Sequence, residues 1–158
     1  GARAAMGLTS QFGGEASLVI PAPPEQVWKV VADLEGIGDR SPECVGIRYL
    51  DGATAPAKGV RFKGRNRLGP VRWSTVSTIE ECDEPSRLTY VAGVLGAATR
   101  WTYELEPVPE GTRVTERFQT CGSNKLILAV ATLLRRPVKL QRDMARTLEG
   151  IRRAVATG

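Results

Sequence analysis

The chain of 158 residues contains no histidine. That absence removes Ser-His-Asp hydrolysis, histidine general bases and histidine-ligated zinc from consideration. Cysteine is scarce as well: Cys44, Cys82 and Cys121 are the three present, with no metal-ligand spacing among them. They read as reduced thiols, and without an imidazole none has a partner to activate it as a nucleophile. No metal and no cofactor is expected. No apolar run approaches the ~20 residues that span a bilayer, so stable membrane insertion is not expected either. No internal repeat, low-complexity tract or linker divides the chain.

What is present suits one globular domain. Hydrophobic residues make up 42% and charged residues 25%, proportions at which a packed core forms. A chain of this length can bury roughly 68–70% of its unfolded surface. The net charge of +5 permits an anionic partner without requiring one. Gly1-Ala2-Arg3-Ala4-Ala5 ahead of Met6 is too short and too poor in large apolar residues for a signal peptide. Residues 1–14 therefore read as a vector-derived remnant and flexible N-terminus, and 15–158 as a single domain with a cytoplasmic location.

The order of elements carries the most information. A strand over Glu15–Ile20 leads to Pro21-Ala22-Pro23-Pro24-Glu25-Gln26-Val27-Trp28, which opens a helix. Pro24 suits its first position and Glu25 the positive end of its dipole. Val27, Trp28, Val31 and Leu34 share a face, and Gly36 and Gly38 end the pattern. A short turn or second helix runs to Ser41-Pro42. Val45, Ile47 and Tyr49 then alternate as a strand.

The next strand separates its faces almost completely. Val60, Phe62, Gly64 and Asn66 fall on one side, Arg61, Lys63, Arg65 and Arg67 on the other. The following strand carries Trp73, Thr75, Ser77 and Ile79 on one parity. A four-residue loop, Leu68 to Val71, keeps both apolar sets on one side by setting Asn66 against Trp73 and Gly64 against Thr75. After a turn at Cys82–Pro85, the same rule sets Leu88, Tyr90 and Ala92 opposite Ile79, Ser77 and Thr75. A Gly-rich connection leads to Thr99, Trp101, Tyr103 and Leu105. A loop over Pro107–Thr112 then sets Leu105 against Val114, Tyr103 against Glu116 and Trp101 against Phe118.

From about Asn124 the period turns helical. Leu126, Val130, Leu133, Leu140, Met144, Leu148, Ile151 and Val155 form a stripe that Pro137 should kink or break. Ser123 or Asn124 suits the N-cap. Leu126–Leu134, apolar on nearly all sides, reads as covered by the sheet or as part of a greasy cavity wall.

The predicted inner face combines Trp28, Phe62, Trp73, Tyr90, Trp101 and Phe118 with the polar Asn66, Thr75, Tyr103 and Glu116. An apolar cleft with a few convergent polar groups is the usual make-up of a ligand site. These ten residues are the candidate ligand-binding set. A polar cluster satisfied by water and backbone is the competing explanation. Glu116, mid-strand and inward, should have a raised pKa and could donate a hydrogen bond or serve as acid or base. If the protein is an enzyme, Glu116 and Tyr103 are the catalytic candidates. A purely structural Glu–Tyr or Glu–Arg pair accounts for the same pattern. The basic face with Arg72 reads as solvated; it lacks the interleaved aromatics of single-strand binders, and no nucleic-acid partner is expected.

Taken together, these segments resemble the START-like, or SRPBCC, superfamily. The resemblance rests on Ile20–Trp28, on Ser41-Pro42-Glu43, on Phe62–Arg67 with Trp73, and on Trp101–Leu105 with Gly111–Glu116. The polyketide cyclase/dehydrase and lipid-transport branch is nearest in look. The resemblance implies the α+β helix-grip fold of birch-pollen-allergen-type proteins. That fold is a seven-stranded curved antiparallel sheet wrapped around a long C-terminal helix, with two short helices after the first strand and a hydrophobic cavity between. Two functions follow as expectations. One is binding or transport of a hydrophobic small molecule such as a lipid, polyketide or isoprenoid. The other is a cyclase, aromatase or dehydratase in which Glu116 is acid or base, with Tyr103 and Asn66 as polarising donors. Cyclase members often place histidine in the pocket, and this chain has none.

Overall fold

The computed structural model describes residues 3–6, 12–94, 97–121, 126 and 136–158. Among the described residues, eight strands form one antiparallel sheet. They are β1 (Arg3–Met6), β2 (Phe12–Ile20), β3 (Cys44–Tyr49), β4 (Arg61–Leu68), β5 (Val71–Asp83), β6 (Arg87–Val94), β7 (Ala97–Val108) and β8 (Gly111–Thr120). Their spatial order is β1-β2-β8-β7-β6-β5-β4-β3. β2 and β3 follow one another in sequence yet lie toward opposite edges. The segment between them therefore crosses the concave side as helix α1 (Pro24–Val31) and a 3-10 helix (Leu34–Asp39). Helix α2 (Arg136–Thr157) packs on β2 and α1. This is the expected α+β helix-grip architecture, with β2–β8 as its seven strands.

β1 is an addition. It pairs with β2 from Arg3↔Glu15 to Met6↔Phe12. Residues 3–6 and 12–14, expected to precede the domain, thus belong to the sheet. Pairing there occupies the backbone groups that β2 would otherwise expose along an edge. Arg3-Ala4-Ala5-Met6 has no alternation from which a strand could be read.

α1 is closed around Val27, Trp28 and Val31, all buried. Leu34 is buried too, but from the 3-10 helix rather than as a further turn of α1. The β4–β5 register is the expected one, Asn66↔Trp73 and Gly64↔Thr75. Leu68 and Val71 also pair, so the loop shrinks to Gly69-Pro70. Gly69 holds φ +59°, as the first central position of a tight hairpin turn of type II′ requires. β7 and β8 pair as expected at Leu105↔Val114, Tyr103↔Glu116 and Trp101↔Phe118.

Two bulges correct the sequence reading. The β5–β6 turn is closed by Ser86 N–H to the Asp83 carbonyl, so β5 runs on past Cys82. Tyr90 consequently faces Ile79 and Ala92 faces Ser77, two residues from the expected register. The extra residue is Glu80, between the Ile79 and Glu81 pairings. It switches the inward parity of β5 from odd to even numbers, so Ile79, Cys82 and Leu88 all contribute to the core. In β3 a bulge between Cys44 and Gly46 leaves Val45 51% exposed rather than inward.

α2 begins at Arg136, which puts Pro137 in its first turn, where a missing N–H breaks no helical bond. Leu140, Met144, Leu148 and Ile151 are buried along one stripe. The expected N-cap at Ser123 or Asn124 lies outside the described residues, as does all of Leu126–Leu134 except Leu126. That residue is helical and 74% exposed, not buried in the stripe.

The convex face carries Arg61, Lys63, Arg65 and Arg67 exposed, as expected. Thr112, buried at the start of β8, donates its hydroxyl to the Ala22 carbonyl at 2.7 Å and ties β8 to the entrance of α1. Thr112→Val keeps the shape and removes that donor. A loss of about 1–3 kcal/mol is expected, read as a lower urea midpoint at unchanged m-value; an unmoved midpoint would show that the tie contributes nothing.

Candidate functional site

The site is built outward from one cross-strand pair. The β7–β8 register sets Tyr103 against Glu116 on the concave face, and the Tyr103 hydroxyl donates to Glu116 Oε1 at 3.0 Å. Glu116 is only 2% exposed. Its Oε2 is buried and has no hydrogen-bond partner among the described residues. Burial pushes the Glu116 carboxyl up to about 8; the Tyr103 hydrogen bond and the Arg40 charge oppose the rise, and the Asp143 charge adds to it. At pH 7 the group is mostly the neutral acid. Burial foremost, then the nearby carboxylate of Glu116, also raises Tyr90 and Tyr103, so both phenols remain protonated.

These groups line a partly open cavity of about 100 Å³ between the sheet, residues 37–43 and α2. One water needs only about 10–15 Å³, and a ~150 Å³ apolar cavity takes up benzene. The walls are aromatic: Phe62 and Tyr90 meet edge-to-face with centroids 5.3 Å apart, and Trp101 closes one side. Gly64 lies in the wall at a close approach to its neighbours. A Cβ there would stand 3.0 Å from Thr75 Oγ1 and 3.9 Å from Cys44 Sγ. Asn66 Nδ2 reaches Thr75 Oγ1 at 3.5 Å.

α2 contributes Leu140, Asp143, Met144 and Thr147. That is i, i+3, i+4, i+7, a single helical face. Lys139 stands beside them, its ammonium paired with Asp143 and, at 3.1 Å, with Glu43 Oε2. The helix is thereby pinned to the loop before β3. Cys44 lies in the wall with its thiol pushed up by burial and directed to the Gly46 carbonyl at 3.5 Å, a structural thiol rather than a nucleophile. Among the described residues no three His, Cys, Asp or Glu are grouped to hold a metal.

Of the ten candidates, the cavity brings together Phe62, Asn66, Thr75, Tyr90, Trp101, Tyr103 and Glu116. Trp28, Trp73 and Phe118 do not line it: Trp28 and Phe118 are core, and Trp73 lies partly exposed near the β4–β5 tip. Sequence reasoning missed Cys44, Asp143, Met144 and Thr147 as lining residues. The only signal available was two polar residues, Asp143 and Thr147, a helical turn apart beside the apolar stripe. A second recess between α1, the 3-10 helix and α2 has Lys29, Asp33, Asp39 and Arg40 in its walls, too charged to suit an apolar molecule.

No helix of the described residues is long and apolar enough to cross a membrane. No functionally curated protein matches the chain. Solved structures do. One is TTHA0849 from Thermus thermophilus, 24% identical over 90% of this chain and 96% of that one, with a TM-score of 0.71. Another is Ara h 8.0201, 12% identical over the whole of both chains, TM-score 0.68. A third is the di-domain ARO/CYC BexL from the BE-7585A biosynthetic pathway, 16% identical over 91% of this chain and 50% of that one, TM-score 0.69. At these identities the likeness is one of fold. A family model described as polyketide cyclase / dehydrase and lipid transport matches residues 12–156. With nearly the whole fold inside that match, the chain belongs to the polyketide cyclase / dehydrase and lipid transport family.

Proposed function

We propose that the protein binds a hydrophobic small molecule, of lipid, polyketide or isoprenoid type, in the cavity beneath α2. The observation that carries this reading is an aromatic-walled space containing a buried carboxyl with an unused oxygen. A closed core has no use for such a group, whose burial without a partner costs about 1–3 kcal/mol. Within this reading the protein works in the cytoplasm, without cofactor, metal or nucleic acid. A cyclase or dehydratase is the second reading, favoured by the raised Glu116 carboxyl, which can hand over a proton near neutral pH. Tyr103 and Asn66 would polarise a bound carbonyl in that case. The family's description covers both activities.

Native mass spectrometry of protein purified without denaturant tests the first reading by a co-purified organic mass. A filled-cavity variant sharpens it. Ala92, in the cavity wall, is the position to enlarge: Ala92→Leu should leave the circular dichroism spectrum unchanged and weaken a fluorescent apolar probe at least about tenfold, as lost burial of a small ring predicts. Unaltered probe affinity in a folded Ala92→Leu protein would place binding elsewhere. Turnover of a polyketide-like substrate that survives both Glu116→Gln and Tyr103→Phe would remove the second reading.

A further inference from the structure

We propose that the cavity selects an uncharged molecule presenting a carbonyl oxygen to the free carboxyl oxygen of Glu116, and discriminates against carboxylates. This rests on the ligand-binding reading above and adds the chemistry of the polar end.

Polar groups from five parts of the fold surround Glu116. From β7, Tyr103 spends its hydroxyl proton on Oε1. From β6, the Tyr90 hydroxyl lies in hydrogen-bonding contact with that of Tyr103 and stays neutral. From β3, Cys44 directs its thiol to Gly46. After the 3-10 helix, Arg40 is tied through Nη2 to the Asp33 carbonyl at 2.8 Å. On α2, Lys139 is committed to Asp143 and Glu43. Lys139 is thus held by two carboxylates, Arg40 lies in the second recess, and no lysine or arginine among the described residues lines the cavity to receive an anionic headgroup. An arriving carboxylate would instead lose its hydration between aromatic walls, beside the carboxylate of Asp143, with no cation in the lining to offset the loss.

That leaves Oε2. Like any buried polar atom it needs a partner, and a ligand is what the cavity can supply. Burial foremost, with a smaller push from the Asp143 charge, holds the carboxyl as the acid. Its proton belongs on Oε2, since Oε1 is already accepting from Tyr103. A neutral acid offers an O–H donor, and its complement is an acceptor: the oxygen of a ketone, quinone or ester. The aromatic walls suit the flat, conjugated body that often accompanies such a carbonyl.

Four probes of one shape test this on the intact chain: acetophenone, its alkene isostere α-methylstyrene, benzoate and α-methylbenzylammonium. Dissociation constants would be measured by protein NMR titration at pH 6 and pH 9.5. The ketone is expected to bind about tenfold tighter than the alkene at pH 6, one donated hydrogen bond. That preference should collapse at pH 9.5, where the carboxyl is ionised. Benzoate should bind weakest at both. Glu116→Gln retains an N–H donor and should keep the ketone preference at both pH values. The wild-type series stands without the variant should it fold poorly. Equal binding of ketone and alkene at pH 6 overturns the inference but leaves the apolar cavity intact. A preference for benzoate or for the ammonium overturns it likewise. Failure of all four to perturb cavity residues overturns the binding reading itself.

Discussion

Glu116→Gln is expected to become the more stable protein at alkaline pH. The folded-state carboxyl sits near 8, above its ordinary 4.5. Between those values the native state holds a proton that the unfolded chain has released. Unfolding therefore becomes easier as pH rises, by up to ~1.4 kcal/mol per pH unit. The stabilisation is complete below about pH 4.5 and is lost as pH climbs through about 8, beyond which the slope vanishes. Glutamine cannot ionise and escapes this loss. The wild type should match or exceed the variant at pH 5 and fall behind it by a few kcal/mol at pH 9. Urea midpoints from pH 5 to 9 read the effect directly. A wild-type-minus-variant difference that stays constant over that range would mean that the carboxyl titrates as in water.

Gly111→Ala should be among the most damaging single substitutions in the chain. Gly111 holds φ +141°, and a Cβ there would sit 2.1 Å from the Ile20 carbonyl oxygen and 2.9 Å from the Ala22 nitrogen. Both obstacles are backbone at the corner where β2 turns into α1, so neither can rotate aside. A loss of about 3–5 kcal/mol is expected, the range of serious strain. Gly52 is the control: its φ is +77°, but nothing lies within 4 Å of an added Cβ. Gly52→Ala should cost only about 1–2 kcal/mol of left-handed backbone strain. Equal losses at the two positions, in urea unfolding followed by far-UV circular dichroism, would contradict the steric account.

How far the sequence reveals this molecule depends on the kind of feature. The Tyr103–Glu116 pair was legible because two short alternating strands joined by one loop have very few registers that keep Leu105, Trp101, Val114 and Phe118 together. The same logic found Gly64 opposite Thr75. Parity, however, reports which face a residue occupies and nothing about where along that face space remains. Trp28 and Phe118 are inward yet belong to the packed core; the cavity lies closer to Glu43 and Asn66. The two bulges were not legible: the one in β5 follows from how the β5–β6 turn closes at Asp83–Ser86, and the one at Cys44–Gly46 leaves no mark in the alternation of Val45, Ile47 and Tyr49. β1 was not legible because its pairing satisfies a backbone edge and leaves no mark in side-chain type. Asp143 escaped notice because its ion pair with Lys139, four residues earlier, resembles any exposed helical pair until Glu43 is brought alongside.

The kink at Glu80 has a consequence for how this hairpin can change in length. A strand pair without such a kink can only gain or lose residues two at a time and keep its greasy side covered. Here one surplus residue is already absorbed. Removing a single residue from the Glu84–Ser86 corner together with the kink would restore plain alternation along the entire arm. Insertions of one residue would demand a second irregularity. Natural variation at this end of the sheet should therefore arrive in even steps, or in odd steps that create or erase a bend.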